Sequence, residues 1–124
     1  MKTAIIIFSD PKSASEEALT RMLNALGMAD ECRRAGDELE IAFAGTGTRW
    51  PAELSQLGHP ANARYEALRE FVVGASRGCA HRNGAVEGLE AAGVPLVGDN
   101  EVEGTPGVLS FRRYYAEGWQ VAQF

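Results

Sequence analysis

The segment Lys2-Thr-Ala-Ile-Ile-Ile-Phe8 decides the fold. It is apolar and rich in β-branched residues, but it does not alternate polar with apolar. A strand with one wet face alternates, whereas a continuous apolar run belongs to a strand covered on both faces, the situation inside a parallel sheet. The run stops at Ser9-Asp10-Pro11, a turn signal. Ser13 or Ser15 then caps a helix, with Glu16 and Glu17 in the first turn where the helix dipole favours negative charge. Leu19, Met22, Leu23, Leu26 and Ala29 recur at helical spacing, which gives this helix one apolar face for the sheet, and Gly36 closes it.

The same strand-then-helix order recurs along the chain. Leu39 to Ala44 reads as a second strand, followed by Gly45-Thr46-Gly47-Thr48, which reads as an ordinary flexible loop. Two prolines and a Gly-His-Pro make Trp50 to Pro60 a loop with one short helical turn, and Ala61 to Glu70 reads as a helix. Phe71 to Val73 is a short third strand, and Gly78 to Ala92 a helix loosened at Gly84 and Gly88 and stopped by Gly93. Pro95 to Val97 is a fourth strand. The polar, acidic stretch Gly98 to Gly107 leads into a helix through Val108 to Tyr115, and Trp119 to Phe124 forms a last strand. Strands alternating with helices imply right-handed crossovers, a mainly parallel sheet of about five strands and helices on both faces. Ligands of such sheets sit outside the carboxyl ends of the strands. That rim collects Ser9 and Asp10, Gly45 to Trp50, Ala75 to Cys79, and Asp99 to Glu101.

Composition narrows the function. The chain has 124 residues, 45% of them hydrophobic and 23% charged, which are ordinary values for one globular α/β domain. The first apolar run is too short for a signal-peptide core or a membrane span, so a soluble cytoplasmic protein without membrane contact is expected. A net charge of −5 with scattered basic residues is the wrong balance for gripping nucleic acid. Two distant cysteines, Cys32 and Cys79, with His59 and His81 form no metal-binding spacing, so no metal is expected.

Cys79 is the one obvious nucleophile on the rim. If the helix starts near Gly78, free N–H groups of its first turn face the sulfur. Arg77 precedes it, Arg82 lies three residues on along the same face, and Gly78 admits an incoming group close to the backbone. Such surroundings raise the thiolate fraction of a cysteine. His81, two residues on, points away and makes no dyad with Cys79. A free cysteine is equally well a small buried hydrophobe, and the local sequence leaves both readings open. Cys32, late in the first helix near its apolar positions, reads as structural.

The chain resembles the DsrE/DsrF-like family of sulfur-relay proteins. The resemblance runs through the apolar first strand, "RRAGDELEIAFAGTG", "FVVGASRGCAHRNG", "GLEAAGVPLVGD" and "VLSFRRYYAEGWQVAQF", and its most specific piece is Cys79 followed five residues later by Gly84. It implies a flavodoxin-like three-layer α/β sandwich, no bound cofactor, and assembly into homotrimers or homohexamers. It also implies that Cys79 carries sulfur as a persulfide between donor and acceptor proteins or small thiols. Ser9, Asp10, Gly45, Thr46, Gly47, Trp50, Ser76, Arg77, Gly78 and Arg82 are then the residues expected to line or activate the site. Two other readings stand beside it: a noncatalytic module binding a small anion or nucleotide through Gly45 to Arg49, and a structural subunit assembling through surfaces such as Trp50, Tyr114 and Tyr115.

Overall fold

A computed structural model describes all 124 residues. Five parallel strands, β1 (Lys2–Ile7), β2 (Glu38–Phe43), β3 (Val72–Ser76), β4 (Leu96–Val97) and β5 (Gln120–Gln123), form one sheet in the order β4-β3-β2-β1-β5. The helices are α1 (Glu16–Ala35), α2 (Trp50–Leu54), α3 (Asn62–Leu68), α4 (Arg77–Arg82), α5 (Val86–Ala91) and α6 (Phe111–Ala116). This is the parallel-sheet α/β architecture that the strand-helix alternation implies, and the flavodoxin-like three-layer sandwich that the resemblance implies.

The opening run behaves as its composition demands. Every residue from Thr3 to Ile7 is buried, and their side chains divide between two cores. Ile5 and Ile7 join Ile41, Phe43 and Ala75 in a large cluster beneath Met22 and Leu26 of α1, Leu54 of α2, Tyr65 and Leu68 of α3, and Leu89 of α5. Ala4 and Ile6 join Ala42 and Ala44 in a small cluster closed by Leu109 and by Tyr114 of α6.

The strand order explains that inequality. From β1 through β4 the chain steps in one direction across the sheet, so right-handed crossovers put α1 to α5 on the same face. Only the return from β4 to β5 crosses the other face, and it carries the six-residue α6. Helices therefore cover both faces, as expected, but unequally. The 2-1-3-4-5 order of flavodoxin itself reverses earlier, after its second strand.

Several local expectations are sharpened. Ser15 caps α1, its side chain accepting from the Ala18 N–H, and Gly36 ends the helix. The third strand extends to Ser76, well beyond Val73. The expected Gly78 to Ala92 helix is two helices broken at Asn83 to Ala85, where Gly84 takes φ +65°. Cys32 is 5% exposed in the large core, as a structural cysteine should be. No helix is long and apolar enough to cross a membrane.

Candidate functional site

The carboxyl ends of the strands bring together the segments that the topology rule selects. Ser9 and Asp10 follow β1, Gly45 to Trp50 follow β2, α4 begins directly at the end of β3, and Gly98 onward follows β4. Cys79 is the third residue of α4, half-buried, with Ser76 at the N-cap position.

Gly45 to Arg49 is not the flexible loop expected from its glycines. It is a 3-10 turn running straight into α2, with Gly47 and Thr48 buried. Gly47 is required there by contact, because a Cβ would collide with the Ile7 carbonyl. The hydroxyl of Thr46 donates to Phe8 O at 2.9 Å, and that of Thr48 to Gly45 O at 2.8 Å. Both hydroxyls are thus spent on backbone carbonyls of the chain itself.

Asp10 and Arg49 meet side by side, both carboxylate oxygens lying 3.1 Å from Arg49 Nη1. Arg49 Nε also donates to the Asn83 carbonyl at 3.2 Å. Asn83 Nδ2 in turn donates to Cys79 O at 2.8 Å and to Gly45 O at 3.1 Å. Trp50, 3% exposed, donates its indole N–H to Ser9 O at 2.8 Å. The loops after β1 and β2 and the end of α4 are thus one hydrogen-bonded block. Ser9, Asp10, Thr46 and Trp50 belong to this block, which reaches Cys79 through Arg49 and Asn83 at the Cys79 carbonyl. Arg49 lies in the Gly45 to Trp50 segment expected on the rim, whereas Asn83 was not among the expected site residues, although an Asn-Gly pair at a helix end is a stop signal that marks it.

Against Ser76, Arg77 and Gly78, just before Cys79 in the chain, lies a hairpin-like flap. Asn100 and Val108 exchange two backbone hydrogen bonds, of 2.8 and 2.9 Å. The Gly78 N–H donates to Gly107 O at 2.8 Å. A Cβ on Gly78 would lie 2.8 Å from Val108 and 3.2 Å from Gly107 O, so only glycine lets the flap seat here. The Ser76 hydroxyl accepts from the Leu109 N–H at 3.0 Å, and the guanidinium of Arg77 donates to Pro106 O at 3.2 Å and Leu96 O at 3.4 Å. Arg77 therefore holds the flap; its hydrogen bonds go to carbonyls there. Asp99 accepts from Ser110 N and pairs with Arg113, so the acidic stretch is anchored at that end while Glu101 and Glu103 stay exposed.

An open cleft of about 390 Å³ separates α4 from the flap tip, lined by Gly78, His81, Arg82, Gly104, Thr105 and Pro106. Arg82 is exposed and forms no ion pair within the chain. Cys79 sits beside this cleft through its neighbours Gly78 and Arg82, without lining it.

No family model matches the chain, and no solved structure matches it. An uncharacterized protein from Methanocaldococcus jannaschii is similar. It is 31% identical over 74 residues, which make up 59% of this chain and 60% of that protein. The chain thus aligns with less than two thirds of that relative's length. The cysteine, its polar support and its flap are features of this chain's own geometry.

Of the surfaces expected to serve assembly, Trp50 and Tyr114 are instead packed inside, at 3% and 0% exposure. Tyr115 alone is open to solvent.

Proposed function

We propose that this protein is a sulfur carrier of the DsrE-like type, with Cys79 as the residue that takes up and hands on sulfur. The observation that carries the reading is the position of Cys79. It is a half-buried thiol in the first turn of the helix that begins at the carboxyl end of β3, its backbone carbonyl held by Asn83 and its neighbour Gly78 bonded to the flap.

The chemistry is thiol exchange. The Cys79 thiolate attacks the outer sulfur of a donor persulfide, R–S–SH; a new S–S bond forms to Cys79 and the bond between the two donor sulfurs breaks. The donor leaves as a thiolate, the persulfide proton stays on the transferred sulfur, and nothing is oxidised or reduced overall. Delivery repeats the step, with an acceptor thiolate attacking the outer sulfur on Cys79. Arg82, exposed beside the cleft, offers positive charge to the anionic partner of each step. The donor and acceptor are proteins or small thiols, and the assembly that the resemblance implies is a homotrimer or homohexamer.

Intact-mass measurement after treatment with a small persulfide donor tests the reading. The wild type is expected to gain one sulfur atom and Cys79→Ser none. Equal gain by both, or no gain by either, rejects it.

A further inference from the structure

The two edges of the sheet are finished differently. The β4 edge is two residues long and is preceded by Pro95, and its outward Leu96 carbonyl accepts from Arg77. Short length, proline and a covering cation are devices that keep an edge from pairing. The β5 edge is longer, at four residues, has no proline, and has a cation only at its start, where Lys2 lies over the Trp119 ring. Trp119 to Phe124 contains no proline and no charged side chain, in a chain that is 23% charged as a whole.

The unpaired groups on β5 can be identified. Phe124 N donates to Ile6 O at 2.9 Å and Phe124 O accepts from Phe8 N at 2.6 Å, so Phe124 bonds inward to β1. Alternation along a strand makes Ala122 and Gln120 inward as well. The N–H and C=O groups of Val121 and Gln123 therefore face away from the sheet, with no further strand beside them.

We infer that the β5 edge is the contact between two copies of this chain, paired antiparallel about a two-fold axis so that the two five-stranded sheets become continuous. Antiparallel partners must both be outward or both be inward residues, which limits the register. With the axis at Ala122, Val121 lies opposite Gln123 of the second copy, and all four outward groups of each strand are paired within β5. With the axis at Val121, Trp119 is drawn in, but its N–H is already donated to Tyr114 O at 2.9 Å. The Ala122 register is therefore favoured. It also sets two small side chains at a closely spaced pair, where Cα atoms approach to about 4.5 Å. Among two molecules of net charge −5, a segment with no charged side chain adds least to side-chain repulsion. The exposed aromatic Tyr115, at 61% exposure, belongs to α6, the helix packed against β5, and supplies apolar surface at the same side of the molecule.

The test uses cysteine pairing in a Cys79→Ser background, which leaves Cys32 buried in the core. Ala122→Cys is expected to form a disulfide-linked dimer on mild oxidation, because a 4.5 Å approach falls in the range that a disulfide spans. Gln120→Cys, which lies four residues out of register with its own copy, is not. In parallel, Gln123→Pro deletes one outward N–H without breaking a bond inside the chain. It is expected to weaken association at least tenfold by light scattering while its circular dichroism stays unchanged. A wild-type mass of one chain at all concentrations, equal cross-linking at both positions, or none at Ala122 overturns the inference.

Discussion

At the scale of single residues, Gly47, Arg49 and Tyr65 each make a claim that one substitution or one titration reads. Gly47 exists because β1 and the turn after β2 touch backbone to backbone, so Gly47→Ala is expected to destabilise the fold by about 3 kcal/mol, the upper end of the usual range for forcing atoms into a packed site. Chemical denaturation measures it. Arg49 joins Asp10 to the Asn83 carbonyl in a partly buried position, and Arg49→Ala is expected to cost about 1–2 kcal/mol, as lost charged hydrogen bonds do. It is also expected to change the alkylation rate of Cys79, because Asn83 holds the Cys79 carbonyl. Burial pushes the Tyr65 phenol up to about 12, with Glu66 adding to the rise and Arg69 opposing it. An unfolded tyrosine ionises near 10, so between about pH 10 and 12 the unfolded state sheds a proton that the folded state keeps. Stability is therefore unaffected by this group below about pH 10 and falls as pH rises to about 12. Urea midpoints across that range check the sign, and Tyr65→Phe flattens the decline.

At the scale of elements, what the chain spells out locally and what depends on distant contacts separate cleanly. The first strand and first helix are legible because Thr3 to Ile7 and the capped run from Ser15 carry their signals in consecutive residues. The order of strands was not, since β5 lies beside β1 only through pairing across more than a hundred residues. The turn at Gly45 to Arg49 was misread for a similar reason: its glycines suggest mobility, while their purpose is the close approach of Ile7. Cys79 stood out as a nucleophile by residue type and by its strand-to-helix setting. The network around it did not, because Asn83 binds the Cys79 carbonyl, Arg49 the Asn83 carbonyl and the flap the Gly78 N–H, all backbone groups that any sequence supplies. Arg77 was expected to serve the thiol, but its fork is committed to the carbonyls of Leu96 and Pro106. Arg77→Ala is accordingly expected to loosen the flap, seen as faster amide exchange at Asn100 and Val108, and Arg82→Ala to leave that exchange unchanged.

At the scale of the molecule, three crossovers on one face and one on the other produce a thick side and a thin side, and the thin side ends at the unprotected β5 edge. A two-fold contact at that edge is compatible with a homohexamer of dihedral symmetry, and not with a closed trimer alone. The proposed sulfur transfer and the inferred assembly are separable, since Cys79 lies at the carboxyl end of β3, three positions across the sheet from β5. The measurement closest to the central claim follows one sulfur atom through the protein. The chain is loaded from a persulfide donor, freed of excess donor, exposed to an acceptor thiol, and its cysteine peptides are weighed before and after. The proposal requires the added sulfur on the Cys79 peptide, absent from the Cys32 peptide, and lost to the acceptor. Sulfur on Cys32 to the same extent, or sulfur on Cys79 that no acceptor removes, contradicts it.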